Sequence, residues 1–526
     1  MNGDIRSYPY DNVVQATRGP FGAGWPFLLA ATVILQFSLI INSSWRAQPD
    51  AALYLELGES LAAGRGYVFN NEPHTYAPPA YPALIALVNV LVGKDILFYR
   101  VLMSVLGLMT GLLAYLLIRR LCGSDTALLL GGFCMTSHVL LENSTITCSD
   151  TLFAFSVFLA FHALLSLGAS GQRWWLLTTA IYGLAAGLPA LVRINGWGVA
   201  PALAFYVAQT TSDAPRSRRA GQTALFLAVA AAPGAAWEYY KSFFPPSSTE
   251  GTYVNAVLGR DISTQISVAL TALKDYAYEI TYACTGVSIR TGALEFVIPL
   301  LILVGLFRLM RRGERLFGPF VLIQMAGLCL SPAGSRYLIA LVPAFAIFLA
   351  EGVAFAREAL SRRMSGHASS PFLQNRLAPI FFAALIVLNV GANMLTVIQA
   401  RSALEPHGAE SYRDKPFFEA SRWLRRHAHD GPVLTMHPRV IHYLSGLPTI
   451  ELVRSGVPEN EAYIVSPDEI ARLIAARRPS YFFSDAKNNI MKTRVSDALE
   501  KMGATVHEIP NIDPGRRFEL WKILYP

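Results

Sequence analysis

Two aspartates and two arginines stand at the edges of long apolar runs, where an ionisable side chain is costly to place and therefore informative. They are Asp50 in Pro49-Asp50-Ala-Ala-Leu-Tyr54, Asp150 in Cys148-Ser149-Asp150, Arg193 in Leu191-Val-Arg193, and Arg336 in Ser335-Arg336-Tyr337. A positioned carboxylate can take the proton of a hydroxyl nucleophile. A guanidinium can grip an anionic group such as a lipid phosphate through two parallel hydrogen bonds. Each residue also has a plainer reading. The aspartates open helical patterns and can cap them through the free N–H groups of a first turn. The arginines can anchor helix ends by reaching for water. A cap held at the water boundary is compatible with chemistry, so both readings of each aspartate stay open.

The elements that must position these side chains are membrane helices. Of 526 residues, 53% are hydrophobic and 15% charged, with a mean hydropathy of +0.37, whereas soluble domains are about a quarter charged. Apolar runs of about 15 to 22 residues recur, close to the ~20 needed to cross ~30 Å of hydrocarbon. In lipid such runs must be helical to satisfy their own backbone. They fall at 25–44, 96–118, 124–141, 150–168, 174–191, 196–210, 221–240, 295–310, 316–333, 337–355 and 377–398. The expected fold is an all-α polytopic membrane protein with about eleven transmembrane helices. Tyr81 to Val92, after Pro78-Pro79, is too short to span and reads as an interfacial helix. No small-residue cleavage site follows the first run, so it is expected to stay as an anchor.

Every second short loop is basic, through Arg119-Arg120, Arg173, Arg216/Arg218/Arg219, Arg308/Arg311/Arg312/Arg315 and Arg357/Arg362/Arg363/Arg376. The positive-inside pattern puts the N-terminus in the cytoplasm and, after eleven crossings, the C-terminal segment outside. The net charge of +8 thus reports topology and not a nucleic-acid partner. The expected organisation is a cytoplasmic tail over 1–24, a membrane domain over 25–399 with outer loops 45–95 and 241–294, and a small α/β extracytoplasmic domain over 400–526. In that last part, helix patterns at Phe417 to His427 and Pro467 to Ala476 alternate with strand patterns at Val433 to Met436, Tyr481 to Ser484, Val506 to Ile509 and Phe518 to Leu524. Its His437 and His442 are poorly spaced for metal ligands and read as core or exposed histidines. Cys148 and Cys284 both fall on the outer side and could in principle pair, although nothing in the sequence shows them near each other. Asn42 and Asn143 head outer Asn-x-Ser/Thr sequons. Asp50, Asp150, Arg193 and Arg336 all face the same, outer side.

Asp50-Ala-Ala-Leu-Tyr-Leu-Glu-Leu-Gly-Glu-Ser-Leu-Ala-Ala-Gly-Arg-Gly-Tyr67, followed by Thr75-Tyr-Ala-Pro-Pro-Ala-Tyr-Pro-Ala-Leu84, resembles the first outer loop of the GT-C membrane glycosyltransferases. The likeness is to the bacterial branch related to protein O-mannosyltransferases and lipid A aminoarabinose transferases. Glu142 to Phe155 resembles that family's second loop, Gly187-Leu-Pro-Ala-Leu-Val-Arg193 its Gly-Leu-x-x-Leu-x-Arg segment, and Ser335-Arg-Tyr-Leu-Ile-Ala-Leu-Val-Pro343 its Arg-Tyr-Leu-x-x-x-x-Pro segment. The order and spacing agree from about residue 25 to 355, and Phe418 to His427 with Pro438 to Gly446 resembles the outer domain of some members.

The resemblance implies an inverting enzyme that moves a sugar from a polyprenyl-phosphate carrier to an acceptor hydroxyl on a glycan, lipid or protein, at the outer face of a bacterial inner membrane. By position, Asp50 is the general base and Asp150 the second acidic residue, orienting acceptor or base. Arg336 stands near the donor phosphate with Arg193, Tyr337 and Tyr76 as companions, and Tyr54 contacts substrate. No cofactor is required on this reading, and a divalent cation held by outer acids stays open. One departure is Ala77, where the aminoarabinose branch carries a Lys before the paired prolines; either Tyr76 or an Arg supplies that contact, or the donor differs from that branch. The tyrosines 253, 276, 278 and 282 either line the site or form an interfacial aromatic belt. The main rival is a polytopic transporter or flippase, for which internal repeats and broken mid-membrane helices are expected; the sequence shows no such repeat, and its charges lie at span ends. A third reading is a non-catalytic surface-polymer assembly protein.

Overall fold

The computed structural model describes residues 9–17, 24–42, 45, 48–166, 175–210, 215–244, 261–288, 294–330, 333–363, 371–402, 415–428, 431–452, 467–485, 489–510 and 518–526. Four described helices are long and apolar enough to cross a bilayer: Ile96–Cys122, Trp175–Val192, Ser335–Arg363 and Arg376–Gln399. A pair bent by 44°, Ser124–Met135 with His138–Ser144, makes a fifth if counted as one span. Other apolar runs form shorter helices, among them Trp25–Leu39, Asp150–Leu165 and Phe317–Leu328, and Ala80–Val92 forms the short helix expected there.

Ser335–Arg363 is the centre of the bundle, 94% of its apolar window being buried against 33% for Arg376–Gln399. A helix that is apolar all round needs such a position. Glycines let its neighbour approach: a Cβ on Gly305 would stand 1.8 Å from the Phe348 carbonyl oxygen, and one on Gly352 would stand 2.1 Å from that of Leu301. This is the close backbone contact that small residues allow between membrane helices. The outward faces of the bundle carry exposed Leu176, Leu177, Ile181, Leu184, Leu395 and Ile398, an apolar surface suited to lipid. Towards the far end of the central helix, Arg308 Nε and Arg312 Nη1 each lie 2.8 Å from Glu351 Oε1.

At the other end, Pro49–Ala62 packs on Ala80–Val92, where Gly58 meets Ile85. A small hairpin follows the first of these helices, β1 (Val68–Phe69) and β2 (Glu72–Pro73). Its turn residues Asn70 and Asn71 have φ of 53° and 63°, the left-handed pair that a tight two-residue turn requires.

The C-terminal part holds β3 (Val433–Thr435), β4 (Thr449–Glu451), β5 (Tyr481–Asp485), β6 (Thr505–Glu508) and β7 (Phe518–Leu524) in the order β4-β3-β5-β7-β6. β3 is parallel to both neighbours, and β7 is antiparallel to β5 and β6. The helices Lys415–His427, Pro438–Ser445, Pro467–Arg477 and Asn489–Lys501 accompany the sheet. The four strands expected from the sequence are present, while β4 and the helices Pro438–Ser445 and Asn489–Lys501 are additions to that reading. One apolar cluster joins Trp45, Leu53 and Leu57 of the Pro49 region to Phe417, Leu424, Val440 and Ile441 of the sheet unit. All five cysteines are free thiols, Cys148 and Cys284 included. Asn143 is buried and donates to the Val139 carbonyl, so its sequon is not presented to solvent.

Candidate active site

Pro49 starts its helix where no N–H is needed, which places Asp50 in the first turn. The Asp50 carboxylate does not cap that turn; it meets two guanidiniums, with Arg336 Nη1 3.2 Å from Oδ2 and Arg439 Nη1 2.9 Å from Oδ1. Burial alone would push this carboxyl up, but Arg439, Arg336 and Arg193 together hold it below its ordinary value. It is therefore ionised, and with its side chain 33% exposed it stays reachable.

Asp150 is likewise in the first turn of its helix and likewise directed to an arginine. Arg193 Nη1 donates to its Oδ1 at 2.5 Å, while Oδ2 is buried without a hydrogen-bond partner. Arg193 also donates to Ser149 Oγ at 3.3 Å, and that hydroxyl donates to Tyr54 Oη at 3.0 Å. Both arginines flank the ring of Tyr337, at 5.1 Å for Arg193 and 4.9 Å for Arg336, and Arg336 Nη2 donates to the Tyr337 hydroxyl at 2.8 Å. Neither arginine is a simple anchor reaching for water, since each is bonded to carboxylate and aromatic partners.

The four charged residues singled out by the sequence thus converge. Tyr337 lies between the arginines, and Tyr76 touches the site through Arg439, whose Cζ is 5.8 Å from its ring. Tyr54 is placed differently from an open contact residue: it is buried, accepting from Ser149 and standing edge-on to Tyr81 at 5.1 Å. Ala77 is buried, its N–H donating to His74 Nε2 at 3.0 Å and its carbonyl accepting from the Tyr67 hydroxyl at 2.8 Å. Burial first, and the charge of Arg439 second, push the His74 imidazole down to about 3, which agrees with a neutral ring accepting at Nε2.

Of the tyrosine-rich segment, Tyr253 lies outside the described residues. Ile262–Thr285 is one helix with exposed Ile262, Ile266, Leu270 and Leu273 along a stripe, the pattern of an interfacial helix. Its Tyr276 is fully buried, Tyr278 bonds Ser288, and Tyr282 donates to Glu142 at 3.2 Å. Among the described residues, no three His, Cys, Asp or Glu side chains gather closely enough to hold a metal ion.

Arg439 is the residue that sequence reasoning missed. It belongs to the Pro438–Ser445 helix, with His442 and Tyr443 on the same face at the i+3 and i+4 positions. Each meets an acid of Pro49–Ala62: Arg439 with Asp50 at 2.9 Å, His442 Nε2 with Glu56 at 2.7 Å, and the Tyr443 hydroxyl with Glu59 at 2.9 Å. Asn70 adds a reciprocal pair of bonds to the backbone of Thr449. The spacing of Arg439, His442 and Tyr443 was the available signal.

Residues 76–237 match the family model described as dolichyl-phosphate-mannose-protein mannosyltransferase. No curated protein matches the sequence. Among solved structures, the chain is similar to ArnT from Cupriavidus metallidurans bound to undecaprenyl phosphate, with 13% identity, a TM-score of 0.57, and 95% of this chain and 98% of that one covered. It is also similar to the Archaeoglobus fulgidus oligosaccharyltransferase in complex with Zn and sulfate, with 14% identity, a TM-score of 0.55, and 88% and 68% covered. The likeness therefore extends from the first loop to the fold of nearly the whole chain, which these two structures share.

Proposed function

We propose that this GT-C protein is an inverting glycosyltransferase that moves a sugar from a polyprenyl-phosphate carrier to an acceptor hydroxyl at the outer face of a bacterial inner membrane. The observation that carries the reading is the convergence of Asp50, Asp150, Arg193 and Arg336 around Tyr337 at one end of the bundle. In the step, the acceptor oxygen forms a bond to the anomeric carbon from the face opposite the phosphate. The bond from that carbon to the phosphate oxygen breaks, and its electron pair leaves with the phosphate. The acceptor proton passes to the Asp50 carboxylate. Asp150, fixed by Arg193, orients the acceptor, and the guanidiniums meet the charge growing on the leaving phosphate. Tyr337 holds the two arginines at one spacing, and Tyr54 supports Ser149 from beneath. No metal is called for in these roles.

Purified protein supplied with a polyprenyl-phosphate sugar tests the reading. Asp50→Asn is expected to cut turnover by about 10²–10⁴-fold, the usual scale for a general base, while chelators leave the wild-type rate unchanged. Full activity in the variant removes Asp50 as the base. Carrier translocation without any sugar transfer favours a flippase instead.

A further inference from the structure

The geometry points to Arg439, supplied by the C-terminal sheet unit, as a third guanidinium of the donor-phosphate site, released from Asp50 when the phosphate arrives. This rests on the glycosyl-transfer reading above and adds a residue to it from the sheet unit, whose described helices include none long and apolar enough to cross a membrane.

Three observations support it. Arg439 is 11% exposed at the side chain and is held against Asp50 at 2.9 Å, beside the Tyr76 ring. An arginine so placed is directed, because an exposed one would lose that order to its own rotamer entropy. The second observation is charge. Arg193, Arg336 and Arg439 stand against Asp50 and Asp150, leaving one positive charge in excess within the cluster. A polyprenyl-phosphate sugar is a phosphodiester with a single negative charge, which balances the cluster. After transfer the leaving phosphate carries two charges while Asp50 has gained the acceptor proton, so the cluster stays balanced through the reaction. Without Arg439 it is neutral before donor binding and gives no net attraction to the phosphate. The third observation is that Arg439 and Arg336 grip opposite oxygens of one carboxylate. A carboxylate held by two cations is a poor proton acceptor; a phosphate that draws the guanidiniums to itself restores its basicity. Donor binding then switches on the base, and the unloaded site does not activate stray hydroxyls.

The test is the binding of undecaprenyl phosphate, as the bare carrier, to purified full-length protein, together with donor KM and kcat. Arg439→Gln is expected to weaken carrier affinity and raise donor KM by tenfold or more, and Arg439→Lys to recover part of both. Tyr443→Phe breaks the neighbouring bond to Glu59 without touching the charge count and is expected to bind the carrier as wild type does. Carrier affinity within twofold of wild type in Arg439→Gln, with Arg336→Gln weakened, overturns the proposal and leaves the glycosyl-transfer reading standing. Equal loss in Tyr443→Phe also overturns it, because docking of the sheet unit would then explain the effect. Unchanged affinity in both arginine variants removes the phosphate site itself. Should Arg439→Gln fail to fold, Arg439→Lys and Arg439→Met decide together: Lys keeps the charge and is expected to keep much of the affinity, Met keeps the apolar stem and is expected to lose it, and equal affinity in the two overturns the proposal.

Discussion

Replacing Arg193 by Met keeps an apolar stem against Tyr337 and removes the cation from Asp150. The Asp150 side chain is 2% exposed, its Oδ1 lies 2.5 Å from Arg193 Nη1, and its Oδ2 has no partner. Removing one member of a buried ion pair costs about 3–5 kcal/mol. The expected loss is therefore about 3–5 kcal/mol. Asp150→Asn in the same chain should recover most of it, since the amide needs no cation. Denaturant unfolding of the purified protein, for the single and double variants, measures this coupling. A loss below about 1 kcal/mol, or one that Asp150→Asn does not recover, refutes the assignment of Arg193 as the buried charge partner of Asp150.

Two further outcomes depend on titration. Asp50 is held below its ordinary value in the free protein by Arg439, Arg336 and Arg193 acting against burial, so the acid limb of kcat/KM should lie below pH 4, on the scale of an ordinary aspartate at about 3.9. In the donor complex the guanidiniums face phosphate, so the acid limb of kcat should lie at higher pH; coincident limbs in the two profiles count against the transfer of cations from Asp50 to the donor. His442 presents both ring nitrogens to acceptors, Nδ1 to the Leu447 carbonyl at 2.6 Å and Nε2 to Glu56 at 2.7 Å, which requires the imidazolium. Burial lowers its pKa but Glu56 and the Leu447 carbonyl raise it further, to a net value above the ordinary one. Its contribution is then complete below about pH 6.5 and lost as pH rises through the folded value. Hydrogen exchange over 438–445 should quicken across that rise in the wild type and not in His442→Gln.

Hydropathy and loop charge placed Asp50, Asp150, Arg193 and Arg336 on one face, and that much of the site was legible because charges at span ends have few reasons to be there. The pairing was not. Span ends define a level along the bundle and say nothing of azimuth, so the joining of Asp50 to Arg336 and of Asp150 to Arg193 needed coordinates. Run length also overstated the regular helices. The run at 124–141 contains a π turn at Ala127–Gly131 and the bend before His138, and the Thr136 hydroxyl bonds back to Gly132 beside it. Apolar composition is indifferent to such breaks, since buried backbone groups can be satisfied by side chains where a bundle encloses them.

Arg439 was hidden for a different reason. A charged residue in a soluble-looking segment carries no evident burial cost, and its partner Asp50 is 389 residues away in sequence. What the sequence did hold was a face of Arg439, His442 and Tyr443 in one part of the chain and Asp50, Glu56 and Glu59 on a helix in another. Each set alone reads as a solvated helix face. Brought together, they leave Glu56 and Glu59 to fasten the sheet unit and Asp50 to meet Arg439 at the edge of the arginine cluster. His442 and Tyr443 bond to acids other than Asp50, so the helix can stay docked through them while its arginine changes partner. That separation of a fixed hinge from a movable cation is what a donor-dependent base requires of the fold.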